Sequence, residues 1–343
     1  MNIGIVNDCP LAVAALRRAV SLDPAHRVIW IARNGAEAVR CCANRPPHLV
    51  LMDLLMPEMD GVEATRRIMA GTPCPILIVT VSVGANSWRA FEAMGHGALD
   101  AVDTPSFAGD VRQGAAPLLS KIETLGTMLR GRHEVHGIAG HRRARSTLRN
   151  RDVLVAIGAS AGGPAALAAM LRNLPQDFTA AVVVVQHVDA QFAAGMADWL
   201  DRQSVLPVRL AKAGDPPSAG TVLLAGTNEH LVLGDSGRFE YTPEPRQSCY
   251  CPSVDVFFQS ASRSWRGGIV GVLLTGMGRD GALGLKALRN QGHLTIAQDQ
   301  ASSAVYGMPK AAAALNAAVD ILPLDRIAAR LTRVVAGTGM TTP

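Results

Sequence analysis

Two separate trains of short apolar runs, each interleaved with helically spaced apolar residues, constrain this chain more than any other feature. In the first train the runs are IGIV (3–6), VIWIA (28–32), HLVLM (48–52), PILIVTV (75–81) and ALDAV (98–102). Between them, segments such as LAVAALRRAV and GAEAVRCCA repeat apolar residues at helical spacing. Strands that alternate with helices favour crossover connections over hairpins, so a doubly wound parallel sheet is expected. A helix over about 115–129 closes the series. A second train starts at DVLVAIG and runs through AAVVVVQ, TVLLAG, GIVGVLL and HLTIAQ. Its helices are expected at PAALAAML, GALGLKALRN and about 325–335, with turns and a hairpin over 234–250. The chain is therefore expected to hold two α/β domains, at 1–125 and 151–337, joined by a linker at 126–150. At 343 residues it exceeds one ordinary core, which agrees.

Composition excludes several classes. There is no basic leader followed by an apolar core, and no uninterrupted apolar stretch of membrane-spanning length. A cytoplasmic protein without direct membrane insertion is expected. The six cysteines form no C-x-x-C pair and no zinc-finger spacing, so they read as free thiols. The net charge of +5 is concentrated in the stretch holding Arg132, Arg142, Arg143, Arg145 and Arg149. That stretch lacks aromatics, and no helix-turn-helix comes after it. It reads as a solvated linker, and no nucleic-acid partner is expected.

Ligands of open parallel sheets gather beyond the carboxyl ends of the strands. In the first domain those ends carry Asn7, Asp8, Asp53, Thr80 and Thr104. An Asp with a second acid beside it can help hold a magnesium ion while its own carboxylate attacks a phosphoryl group. Alternatively, Asp53 does no more than begin a turn ahead of Pro57. The string LVLMDLLMPEMDG resembles the phosphoacceptor strand and loop of two-component receiver domains, and the likeness covers residues 1 to about 125. It implies Asp53 as phosphoacceptor, Asp8, Asp53 and Asn7 as the magnesium site, and Thr80 and Thr104 at the switch positions. Receivers usually have an acid where Asn7 stands and a Lys where Thr104 stands. Asn7 keeps an oxygen but not a charge, and Thr104 supplies no cation for the phosphoryl group.

The second domain opens with VAIGASAGGPAAL. As a dinucleotide fingerprint it fails, because Ser160 stands where the close approach of a pyrophosphate needs glycine. The same residues spell G-x-S-x-G from Gly158 to Gly162, a spacing that suits a tight strand-to-helix turn presenting a serine hydroxyl. Ser160 could equally cap the next helix. His187 comes directly after the VVVVQ run and is expected at the same sheet edge. Asp280 lies in TGMGRDGA, either reaching a histidine or capping the helix from Ala282. The blocks IGASAGG, VQHV, PSVDVFF, LLTGMGRDGA and AVYGMPKAA, in this order behind a receiver, resemble chemotaxis protein-glutamate methylesterases. The resemblance implies Ser160 as nucleophile, His187 as general base and Asp280 as its orienting acid. It places Met277, Ala161 and Gly162 near the oxyanion and substrate, with Ala161 where the family commonly has Thr.

The same resemblance implies hydrolysis of glutamate γ-methyl esters on a methyl-accepting chemotaxis-type receptor, with deamidation of glutamines as a related activity. No cofactor is needed for ester hydrolysis, whereas Mg2+ serves receiver phosphorylation, with a histidine kinase as phosphodonor. The strings IVND, FEAMGHGALD and VDTP are similar to the branch serving Wsp-type surface sensing. A non-enzymatic receiver-linked module that binds receptor or kinase is the alternative, and a general small-ester hydrolase also fits the residues.

Overall fold

The structure is a computed structural model, and it describes residues 1–81, 87–106, 111–130, 153–248 and 250–337. Most of the expected linker lies outside the described residues. The chain divides into two compact units, 1–136 and 137–343.

The first unit runs β1 (Asn2–Val6), α1 (Pro10–Val20), β2 (Arg27–Ala32), α2 (Gly35–Asn44) and β3 (Leu49–Met52). It continues with α3 (Gly61–Gly71), β4 (Ile76–Thr80), α4 (Ser87–Gly95), β5 (Asp100–Asp103) and α5 (Val111–Arg130). The sheet order is β2-β1-β3-β4-β5 and every pairing is parallel. Strands buried on both faces need apolar side chains throughout, which is why LVLM and ILIVT read as unbroken runs. Ile3, Ile5, Leu49, Leu51, Leu77 and Val79 pack against Leu16 of α1 and Leu118 and Ile122 of α5. The α5 helix starts before the expected 115 and continues past the expected domain limit at 125. Pro117 sits inside it and gives up one backbone hydrogen bond. The buried stripe Ala115, Leu118, Ile122 and Leu125 holds the helix together across that gap.

The second unit runs β6 (Val153–Ala159), α6 (Gly163–Arg172), β7 (Ala181–Gln186), α7 (Ala190–Gln203), β8 (Val208–Leu210) and β9 (Val222–Leu224). Then come β10 (His230–Leu233), β11 (Phe239–Thr242), α8 (Val254–Ser264), β12 (Gly268–Leu273) and α9 (Ala282–Asn290). It ends with β13 (Leu294–Gln298), α10 (Met308–Ala314), β14 (Asp320–Leu322) and α11 (Leu324–Val335). The described residues form a seven-stranded parallel sheet, β14-β13-β12-β6-β7-β9-β8, with β10 and β11 as a separate antiparallel hairpin. That hairpin begins before the expected 234. The strand order reverses between β6 and β12, so the crevice beyond their carboxyl ends is the natural place for a ligand. In the first unit the corresponding point lies at β1 and β3. Among the described residues, no helix is long and apolar enough to cross a membrane.

Candidate active site

Three loops meet at the switch point of the larger sheet. Ser160 follows β6, His187 follows the adjacent β7, and Asp280 lies in the loop after β12, on the other side of β6. The backbone ties them together: His187 N donates to Ala159 O at 3.1 Å, and Ser160 N donates to Thr275 O at 3.0 Å. Gln186 Nε2 donates to Ser160 O at 2.9 Å from below the turn. The turn depends on Gly162, whose φ of 74° is the left-handed region that favours glycine. Gly162, not Ser160, is the N-cap of α6, so the capping alternative for the serine falls away. Across the turn, Gly276 packs so closely that a Cβ there would lie 2.8 Å from Ser160 Cβ. Met277 is the next residue in this loop, and its Cα packs closely against Gly307. Ala161 is tied down by its carbonyl, which accepts from Thr275 Oγ1 at 3.0 Å.

Asp280 does not cap α9, whose N-cap is Gly281. Its Oδ2 lies 2.7 Å from His187 Nε2 and also accepts from Val254 N at 2.7 Å. Its Oδ1 accepts from Ser253 Oγ at 2.8 Å and Asp255 N at 3.1 Å. These donors are the N-cap and first turn of α8, where unpaired N–H groups and the helix dipole favour an anion. Burial alone would push the Asp280 carboxyl up. The bond and charge of His187, with the donors Val254 and Ser253, outweigh it and hold the group below its usual value.

His187 is fixed on its face as well as its edge: the Tyr250 ring stacks on it at 4.6 Å between centroids and 11° between planes. With Nε2 engaged by Asp280, Nδ1 is buried and has no hydrogen-bond partner among the described residues. Serine and histidine thus stand on neighbouring strand ends without a formed hydrogen bond between them, a looseness common in sites without substrate. Sequence reasoning singled out Ser160, His187 and Asp280 but missed Tyr250, Gln186 and the start of α8. A signal existed for the last, since Ser253 ahead of the apolar VDVFF run has the form of an N-cap. Tyr250 lies in a loop and shows no pattern at all.

At the smaller sheet, Asp53 is buried and held by neutral donors. Leu54 N donates to its Oδ1 at 2.7 Å and Asn7 Nδ2 to its Oδ2 at 2.9 Å. Burial raises the Asp53 carboxyl above its usual range and nearby Asp8 adds to this, while bonds from Leu54, Leu55 and Thr80 pull the other way. Asn7 Oδ1, expected to serve a metal, accepts from Cys9 N at 2.8 Å and keeps a second lone pair. Among the described residues no three His, Cys, Asp or Glu side chains gather around one point. Asp8 and Asp53 remain as a two-carboxylate pair, which fits a magnesium ion that keeps most of its waters. Thr104 N donates to Thr80 O, while its hydroxyl is buried without a partner among the described residues.

Residues 155–331 match the CheB methylesterase family and residues 3–113 the response regulator receiver domain. The chain belongs to the CheB methylesterase family. A protein-glutamate methylesterase/protein-glutamine glutaminase of group 3 operon from Pseudomonas putida is 62% identical to this family member, covering 98% of this chain and 100% of the relative. A protein-glutamate methylesterase/protein-glutamine glutaminase from Pseudomonas aeruginosa is 61% identical, over 97% and 99% of the two chains. Among solved structures, the CheB methylesterase catalytic domain of Thermotoga maritima is 32% identical, with a TM-score of 0.50. It covers 55% of this chain and 100% of that one.

Proposed function

We propose that this CheB-family chain hydrolyses glutamate γ-methyl esters on the cytoplasmic part of a methyl-accepting receptor, with Ser160 as nucleophile. The observation that carries the reading is Asp280, a buried carboxylate kept charged by the start of α8 and bonded to the histidine on the strand next to Ser160. Asp280 takes the Nε2 proton of His187 in a hydrogen bond, which leaves the lone pair on Nδ1. Nδ1 accepts the Ser160 proton as Oγ attacks the ester carbonyl, and returns it to the departing methanol. Water, deprotonated at the same nitrogen, then clears the acyl-enzyme and releases the glutamate side chain. Backbone N–H groups of Met277 and of the Ala161–Gly162 turn are the donors that would serve a developing oxyanion in this reading. Glutamine deamidation passes through the same tetrahedral chemistry.

The receiver takes a phosphoryl group on Asp53 from a histidine kinase, in the cytoplasm. Bound at Asp8 and Asp53, magnesium would supply positive charge against the incoming phosphoryl oxygens. Thr80 and Thr104 are the residues that would respond. Service in a surface-sensing pathway is supported by the receiver strings alone.

The test is incubation with a methylated receptor fragment, following methyl loss by mass spectrometry beside hydrolysis of a simple aryl ester. Release of methanol from the fragment in preference to the aryl ester supports the proposal. Turnover of the aryl ester alone makes the chain a general esterase, and no turnover of either makes it a binding module.

A further inference from the structure

The helices α8 and α9 begin side by side, and each beginning is capped by an acid that belongs to the other. Asp280, just ahead of the N-cap Gly281, serves Ser253, Val254 and Asp255 at the start of α8. Asp255, in the first turn of α8, accepts from Gly284 N in the first turn of α9 at 2.6 Å. The backbone N–H groups of Gly281 and Leu283 also favour the charged form of the same carboxylate. Gly281 has no side chain with which to cap α9, so Asp255 performs that task from the neighbouring helix.

We infer that Asp255 is a positioning residue for the hydrolytic site: its carboxylate anchors the start of α9, and with it Asp280, and its charge tunes His187 through Asp280. The inference rests on the Ser160–His187–Asp280 reading above. Two carboxylates in contact with adjoining helix starts, beside one imidazole, form a single electrostatic unit. Burial pushes the Asp255 carboxyl up to about 6, Asp280 adds to the rise, and the backbone donors Gly284, Gly281 and Leu283 oppose it. Asp280, from the loop ahead of α9, is the charged group that faces it, and His187 stands behind Asp280. The nearby cations of α9 are turned elsewhere: Lys286 donates to Asn316 O, and Arg289 to Asn316 and Ala318. Above about pH 6, where Asp255 is ionised, its negative charge adds to that of Asp280 at the start of the two helices, and its removal withdraws that charge.

The experiment uses the full chain with a methylated receptor fragment. It compares kcat and KM against pH for wild type, Asp255→Asn, Asp255→Ala and Ser160→Ala. In parallel, the His187 imidazole is titrated by NMR on the Ser160→Ala background, with and without Asp255→Asn. Asparagine keeps an oxygen for Gly284 N but not the charge. It should leave KM near wild type and displace both the acid limb of kcat and the NMR titration from their wild-type positions. Alanine loses the cap as well and should lower kcat on the order of tenfold or more, with asparagine restoring part of the loss. A folded Asp255→Asn protein with an unmoved imidazole midpoint overturns the tuning, and Asp255→Ala with wild-type kcat overturns the positioning. Ser160→Ala releasing methanol at the wild-type rate would instead sink the hydrolytic reading, and the imidazole titration would still decide the role of Asp255.

Discussion

Asp280 is a buried carboxylate, and helix-start donors instead of solvent favour its ionised form. Its pKa in the folded chain lies below the unfolded value. Its contribution to stability is therefore fully present above about pH 4 and is lost only as pH falls through the lower folded value. The acid limb of the activity profile should accordingly end before the protein unfolds, which parallel rate and circular dichroism titrations would reveal. Asp280→Asn should keep the fold but lower kcat by about 10⁴, because the amide cannot favour the imidazolium and can select the wrong tautomer. Retention of most activity would mean that Asp280 only caps α8. Ser160→Ala should abolish methanol release by several orders of magnitude while the melting temperature holds. Near-normal release by a clean preparation would remove the serine from the mechanism.

At the scale of elements, the site depends on how closely α8 and α9 approach. Gly284 lets them meet: a Cβ there would lie 2.6 Å from Phe258 Cβ and 3.0 Å from Asp255 O, a backbone atom that cannot rotate away. Gly284→Ala should therefore cost on the order of 1–3 kcal/mol of stability. Activity should fall by more than the folded fraction explains, since the shift also moves Asp280. Denaturant melts beside kcat measurements check this, and an unchanged midpoint would show that the helices separate freely. Elements with long apolar runs or strong periodicity were legible from residues alone, as in β6, β7 and α11. The three-residue strands β8 and β14 were not, because so few residues carry no period and pairing alone makes them strands. The first turn of α5 was not legible, because its buried apolar stripe starts only at Ala115.

Over the whole molecule, the chain holds two compact units, a receiver and a methylesterase domain. We expect the receiver to restrain the esterase until Asp53 is phosphorylated. Removal of residues 1–140 should then raise basal methanol release, and Asp53→Asn should block stimulation by a small-molecule phosphodonor. A truncated chain no faster than the full one, together with a normal response from Asp53→Asn, would reduce the receiver to a docking module. Stimulation should be partial, since the neutral Asn7 and Thr104 stand where an acid and a cation usually hold the phosphorylated state. The two α/β series, the tight turn at Ser160 and the loop after Asp53 could be read from the sequence, because strand periodicity, glycine spacing and motif order are local properties of a chain. Which helix start holds Asp280, which ring covers His187, and that Asn7 Oδ1 accepts from Cys9 N were settled only by the fold. Each depends on residues far apart in sequence or on which of several available hydrogen bonds a side chain makes, and packing alone makes that choice.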